Sequence, residues 1–120
     1  MAPGATVLVD ARNVLRSQWP NMPEDELVER ARAWAERHGH QLVLVFDGKA
    51  PGGIVGAEQL DERTTLVGSG GESADDWLIR EAPAYPGAWL VTSDRALRGA
   101  AGEHADRLVG GGAFLRSLDD

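Results

Sequence analysis

The sequence predicts an α/β fold, a three-layer α/β/α sandwich around a mainly parallel sheet of four or five strands. Short apolar runs, β-branched in part, alternate along the chain with helical patterns, which is the signature of βαβ units. Three of these runs end in an aspartate: Thr6-Val7-Leu8-Val9 in Asp10, Leu42-Val43-Leu44-Val45-Phe46 in Asp47, and Trp89-Leu90-Val91-Thr92-Ser93 in Asp94. A fourth run, Thr64 to Val67, leads into Gly70-Gly71-Glu72-Ser73-Ala74-Asp75-Asp76-Trp77, where two adjacent carboxylates open a helical pattern that closes at Pro83. Right-handed crossovers put the C-terminal ends of parallel strands on one edge, and open α/β sheets bind ligands at that edge. Four sequence-distant acidic positions are therefore expected to converge.

The elements follow in order. Ala5 to Val9 is a continuous apolar run bounded by Gly4 and Asp10, as in a buried strand. Asp10 to Leu15 reads as a short helix or turn, stopped by Trp19-Pro20-Asn21-Met22-Pro23. Pro23 suits the first turn of the next helix, and Glu24, Asp25 and Glu26 complement its dipole. Leu27, Ala31, Trp34, Ala35 and His38 share one face at helical spacing, which makes Trp34 core and His38 core edge, and Gly39 is a C-terminal stop. His40 and His104 lack partners at metal-ligand spacing and are assigned no chemistry. Gln41 to Phe46 is the second strand. The glycine-rich stretch from Gly48 to Gly56, with Lys49 and Pro51, reads as a mobile loop, and polar Ala57 to Arg63 as a helical turn. Thr64 to Val67 is the third strand, and Gly68-Ser69-Gly70-Gly71 allows close backbone approach before the helix that contains Trp77, a core residue. Ala88 to Thr92 is the fourth strand, Asp94 to Ala101 a helix, Arg107 to Val109 a short fifth strand, and Ala113 to Leu118 a last amphipathic stretch. No repeat or linker divides residues 1–120, which read as one domain.

Composition limits the classes. At 120 residues and 42% hydrophobic, the chain can bury one core and is not of disordered type. With no cysteine, disulfides and thiolate metal sites are excluded, in keeping with a reducing compartment. Met1-Ala2-Pro3-Gly4 runs straight into a strand pattern without a visible signal peptide. The longest apolar run, Leu42 to Phe46, is far short of the roughly 20 residues that a membrane helix needs. A cytoplasmic, soluble protein is the expectation.

The net charge of −7 works against a phosphate partner, yet Asp10, Asp47, Asp75, Asp76 and Asp94 supply five of the negative charges at the strand ends. Clustered carboxylates repel, so either some stay protonated or a cation neutralises them, inverting the local sign. An all-oxygen donor set suits Mg²⁺ or Mn²⁺, and the natural chemistry of such a site is phosphodiester hydrolysis. The basic residues are eleven arginines and Lys49. A structural alternative applies to one acidic pair: Ser73 with Asp76 three residues on is also a capping box.

Val9-Asp10-Ala11-Arg12-Asn13, Val45-Phe46-Asp47, Gly71-Glu72-Ser73-Ala74-Asp75-Asp76 and Val91-Thr92-Ser93-Asp94 together resemble the NYN domains, close to the YacP-like subgroup of the PIN-like ribonuclease superfamily. The resemblance spans about Val7 to Leu118, on a chain short for the subgroup with a trimmed first helical region. The family has a glycine and an aromatic residue between its first Asp and the Asn, where this chain has Ala11 and Arg12. The resemblance implies a PIN-like fold and an Mg²⁺- or Mn²⁺-dependent endoribonuclease that cuts single-stranded RNA, leaves 5′-phosphate ends, and meets its RNA free or on ribosome-associated mRNA. On that basis Asp10 is the central ligand, Asp94 and Asp75 are further ligands, and Asp47 completes the cluster. Asn13 orients Asp10 or a bound water. Asp76 is a second ligand or a helix cap, and Glu72 is matched by the family pattern or structural. Ser93 hydrogen-bonds within the site. Arg12, Lys49 and Arg95 are phosphate contacts by position.

Three other readings stand beside this one. A receiver-like phosphoacceptor domain needs an acidic pair after the first strand and a lysine near the last; Asp10 stands alone and the sole lysine is Lys49. A metal-dependent phosphatase fits the acidic strand ends, although Asp10-Ala11-Arg12 lacks the Asp-x-Asp of the covalent class. A non-catalytic RNA- or ribosome-binding module of the same fold fits the net acidity, but gains nothing from clustered unpaired carboxylates. Monomer and homodimer are both open.

Overall fold

The structure is a computed structural model that describes residues 4–120. Its strands are β1 (Thr6–Asp10), β2 (Gln41–Phe46), β3 (Gly56–Gln59), β4 (Thr64–Gly68), β5 (Ala88–Val91) and β6 (Ala105–Val109). Its helices are α1 (Ala11–Arg16), α2 (Glu24–His38), α3 (Ala74–Glu81), α4 (Arg95–Ala101) and α5 (Gly111–Ser117), with short 3₁₀ turns at Ala82–Ala84 and Gly102–His104. The sheet order is β3-β4-β2-β1-β5-β6, and every pairing is parallel except β3 with β4.

Alternation along the strands sorts the core into two layers. Val7 and Val9 of β1 point with Leu42, Leu44 and Phe46 toward Val14, Leu27, Trp34 and Phe114, so α1, α2 and α5 cover one face. Leu8, Val43, Val45, Val67 and Leu90 point the other way, onto Leu78 of α3 and Leu97 of α4. The α/β/α sandwich expected from the sequence is what the chain forms. Central strands apolar on both faces are the mark of a covered parallel sheet.

The sheet has six strands, and the extra one corrects a sequence expectation. The polar segment read as a helical turn begins as the antiparallel edge strand β3, in register with Thr65 to Gly68. All four residues of β3 are exposed, so no apolar alternation marks it in the sequence. The stretch before it, expected as a loose loop, closes on itself: Ala50 N–H donates to Ile54 O at 2.9 Å, and Gly70 N–H reaches Gly48 O at 2.9 Å. The helix expectations hold with local adjustments. Pro23 is the cap before α2 rather than its first residue, Gly39 ends α2 with φ 72°, and β6 begins at Ala105. Trp34 meets Phe114 edge to face at 5.1 Å, and the exposed His38 lies tilted beside Trp34 with ring centroids 5.6 Å apart. His40 accepts the Ala5 N–H at 3.0 Å.

The order of the strands places the site. From β1 the chain builds outward through β2 and β4, then returns to lay β5 on the other side of β1. The reversal falls between β1 and β5, where connections leave in opposite directions and a crevice opens at the carboxyl ends. Register then fixes which residues reach that edge: Asp10 lies opposite Val45 on β2, and Val9 opposite Val91 on β5.

Gly68 tests the packing of the edge. A Cβ there would stand 2.0 Å from Ile54 O and 2.8 Å from Gly48 O, both backbone atoms, whereas one at Gly71 would meet nothing within 4 Å. Gly68→Ala is expected to destabilise by about 1–3 kcal/mol in urea unfolding, with Gly71→Ala close to the parent. Equal stability of the two variants would contradict the packing described.

Candidate active site

Asp10 ends β1 and stands at the N-cap position of α1. It is 4% exposed. Its Oδ2 accepts the Thr92 hydroxyl at 3.0 Å, and Thr92 Oγ1 in turn accepts the Asp94 N–H at 3.1 Å. Burial lifts the Asp10 carboxyl from 3.8 to about 6; the Thr92 hydroxyl and the Asn13 backbone N–H pull it down, while Asp75 and Asp47 push it up. A carboxyl poised near neutrality in a cleft is a mark of functional sites.

The other acidic residues arrive from separate elements. Asp47, just past β2, accepts the Ala74 N–H at 2.9 Å through Oδ1, and its Oδ2 lies 3.6 Å from Arg12 Nη1. That contact satisfies one free N–H at the start of α3 and pins the helix so that Asp75 faces the cleft. Asp75 is raised above the ordinary carboxylate value, first by desolvation and then by Asp94, Asp47 and Asp76. Asp94 caps α4, its Oδ1 accepting the Leu97 N–H at 3.0 Å. Asn13 Oδ1 accepts the Ser93 N–H at 2.9 Å, and Ser93 Oγ accepts the Gly111 N–H at 2.9 Å, so α1, the end of β5 and α5 are tied together at this edge.

An open cleft of about 250 Å³ results, lined by Asp10, Arg12, Asn13, Arg16, Asp47, Ser73, Asp75 and Asp94. The four separate aspartate positions do converge. Several expected residues lie elsewhere. Asp76 is exposed outside the lining, and its backbone N–H donates to Ser73 Oγ at 3.0 Å, the capping alternative. Lys49 and Arg95 are exposed and do not line the cleft. Glu72 pairs with Arg80, which accounts for it structurally. Two participants were missed. Arg16 follows Arg12 by one helical turn, a spacing that puts both on one side of α1. Thr92 is a hydroxyl in an apolar strand, and such a group needs a partner when buried; nothing in the sequence says that the partner is Asp10.

For a divalent cation the donor chemistry fits. The cleft offers carboxylate and amide oxygens without sulfur or imidazole, as hard cations prefer. Two of its carboxylates are held above their ordinary values partly by their acidic neighbours, a repulsion that a cation relieves. Among the described residues, however, no three acidic or imidazole side chains are grouped closely enough to hold an ion. Asp47 and Asp94 each give one oxygen to a backbone N–H.

No family model matches the chain, and no curated protein matches it. Solved structures do. A crystal structure of a tryptophan-to-leucine mutant of Rae1 (YacP) from Bacillus subtilis superposes with a TM-score of 0.72 at 18% identity, covering 96% of this chain and 75% of that one. A second crystal structure of Rae1 (YacP) from Bacillus subtilis gives 0.68 at 21% identity, covering 99% and 74%. The fold is thus that of the YacP-type PIN-like proteins, as the motifs implied, and at this identity the likeness speaks for the fold alone.

Asp10 gives this edge a pH signature. Its carboxyl has a higher pKa folded than unfolded, so its stabilising contribution is complete below about 4 and is lost as pH rises through about 6. Asn at position 10 keeps an oxygen for the Thr92 hydroxyl and removes the buried charge. Metal-free Asp10→Asn is expected to match the parent near pH 4 and to exceed it by about 1–3 kcal/mol at pH 7.5, measured by urea unfolding in chelator. A variant less stable than the parent at pH 7.5 would contradict the assignment.

Proposed function

We propose that this chain is a metal-dependent endoribonuclease that hydrolyses phosphodiester bonds of single-stranded RNA in the cytoplasm. The supporting observation is the convergence of Asp10, Asp47, Asp75 and Asp94 in one open cleft at the reversal of strand order, with Arg12 and Arg16 on its wall. The YacP-type fold and the motif resemblance point the same way, and fold alone does not fix function. Among the described residues no helix is long and apolar enough to cross a membrane.

In this reading Asp10, Asp75 and Asp94 would hold Mg²⁺ or Mn²⁺, with Asp47 as an outer carboxylate. Such a cation supplies charge neutralisation at the scissile phosphate and a more acidic water. The chain's own groups do the rest. Thr92 fixes the orientation of Asp10 from across the crevice. Asp47 holds the start of α3, and with it Asp75, at the cleft. Asn13 and Ser93 lock α1 against the end of β5, which keeps Asp10 and Asp94 in a constant relation. The Arg12 and Arg16 guanidiniums meet phosphate oxygens as planar forks. Arg12 is paired with Asp47 at 3.6 Å in a partly exposed contact of small energy, so phosphate can displace the carboxylate.

One observation favours a second reading. Asp47 and Asp94 already have capping partners, and no ligand group is assembled among the described residues. A non-catalytic RNA- or ribosome-binding module of this fold would look the same.

The deciding experiment incubates purified protein with labelled single-stranded RNA in Mn²⁺, in Mg²⁺ and in chelator, beside Asp10→Asn and Asp94→Asn, with folding checked by circular dichroism. Cleavage is expected only with metal, and to fall roughly a hundredfold or more in each folded variant, the scale on which one lost charge-stabilising group acts. RNA retained without cleavage by the parent would favour the binding module. Cleavage undiminished in chelator would overturn the metal-dependent reading.

A further inference from the structure

We propose that Trp19 is a base-stacking subsite for single-stranded RNA that enters the acidic cleft; the inference rests on the nuclease reading and names how that site grips its substrate. Trp19 is 85% exposed, the most exposed large apolar side chain among the described residues. An indole left in water adds nothing to a core, and its flat face is free to take another ring.

The loop that carries it is held in place. Ser17 donates to Val14 O through both its N–H at 3.1 Å and its hydroxyl at 2.5 Å. The Asn21 amide, in the orientation that its neighbours dictate, donates to Leu15 O at 2.8 Å and Gln18 O at 2.9 Å. Met22 then packs against the core. The ring is displayed on a pinned turn, which lowers the entropic cost of using it as a platform.

In the chain Trp19 follows directly on the helix that lines the cleft. Arg12, Asn13 and Arg16 of α1 line the acidic cleft, and Trp19 follows Arg16 by three residues. Three residues span at most about 11 Å, so the Trp19 backbone lies within that distance of Arg16 on the cleft wall. Arg12 and Asp47 also line a neighbouring hollow of about 220 Å³, together with Leu15, Glu24 and Phe46. One short helix therefore presents two guanidiniums and then an exposed aromatic ring. Cations that track phosphates beside a ring that stacks bases are the composition of a single-strand groove.

Charge and area select the occupant. Glu24, Asp25 and Glu26 at the start of α2 repel phosphate, and Glu24 shares the neighbouring hollow with Arg12, which leaves the Arg12 and Arg16 wall of the acidic cleft for the strand. Ser17, Gln18 and Asn21 around the indole are exposed and polar, so the apolar patch is confined to Trp19 and Pro20. That is too little for a stable protein contact, which buries on the order of 1,200 Å² or more.

The test measures binding of a fluorescein-labelled single-stranded oligouridylate by anisotropy, in chelator so that it is not cut, with the full chain, Trp19→Ala and Trp19→Phe. Because the side chain is exposed, all three are expected to melt alike. Trp19→Ala is expected to weaken binding roughly tenfold or more, with Trp19→Phe within roughly threefold of the parent. An abasic oligomer of equal charge is expected to bind the parent and Trp19→Ala equally. With metal, the loss in Trp19→Ala is expected in KM rather than in kcat. Parent-like affinity in Trp19→Ala, with RNA still cleaved by the parent, would overturn the subsite and spare the nuclease reading. A parent that neither binds nor cleaves RNA would overturn both. A dimeric parent with a monomeric Trp19→Ala would overturn the RNA occupant in favour of a second copy.

Discussion

The hydrogen bond from the Thr92 hydroxyl to the carboxylate of Asp10 crosses the crevice between β1 and β5, and the arrangement of the acidic edge depends on it. A carboxylate 4% exposed has almost no water to solvate it. Leaving such a group unpartnered costs on the order of 1–3 kcal/mol or more. Thr92 supplies the partner, and the same oxygen accepts the Asp94 N–H. Its backbone carbonyl receives Arg98 Nε at 2.7 Å. One residue at the end of β5 thus fixes the depth of Asp10, the start of α4 and the orientation of Asp94.

Around this bond the fold manages a repulsion that its own topology creates. A parallel sheet delivers every strand's C-terminal end to one edge, and here those ends carry carboxylates. Two of them are spread onto helix starts: Asp47 takes the Ala74 N–H of α3, and Asp94 takes the Leu97 N–H of α4, each at the positive end of a dipole. Arg12 offsets part of the charge from the solvent side. Asp10 and Asp75 remain held above their ordinary carboxylate values, and this uncompensated part sets the cleft apart from a set of helix caps.

Much of this was legible in the sequence because it is written as periodicity. The apolar runs of β1, β2, β4 and β5 and the Asp that follows three of them are local signals, and a parallel sheet turns them into a shared edge without further information. The Ser73 cap was equally legible. Most of what escaped is encoded in no local pattern. Strand β3 buries no side chain, so it has no alternation to read. Thr92 belongs to the site through Asp10, a partner far away in the chain, whereas the one-turn spacing of Arg16 from Arg12 was a local signal left unread. Lys49 and Arg95 show the converse: they sit next to site residues in sequence, and their backbone positions carry them outside the lining. Asp76 adjoins Asp75, but a helix turns by about 100° per residue, which is enough to send neighbours to different surfaces.

The central claim is that these carboxylates form one cation site, and isothermal titration of Mn²⁺ into the purified chain at neutral pH tests it most directly. Saturable binding that is lost in Asp75→Asn and kept in Asp76→Asn is the expected result, since only Asp75 faces the cleft. No binding by the parent, or binding unchanged in Asp75→Asn, would contradict it.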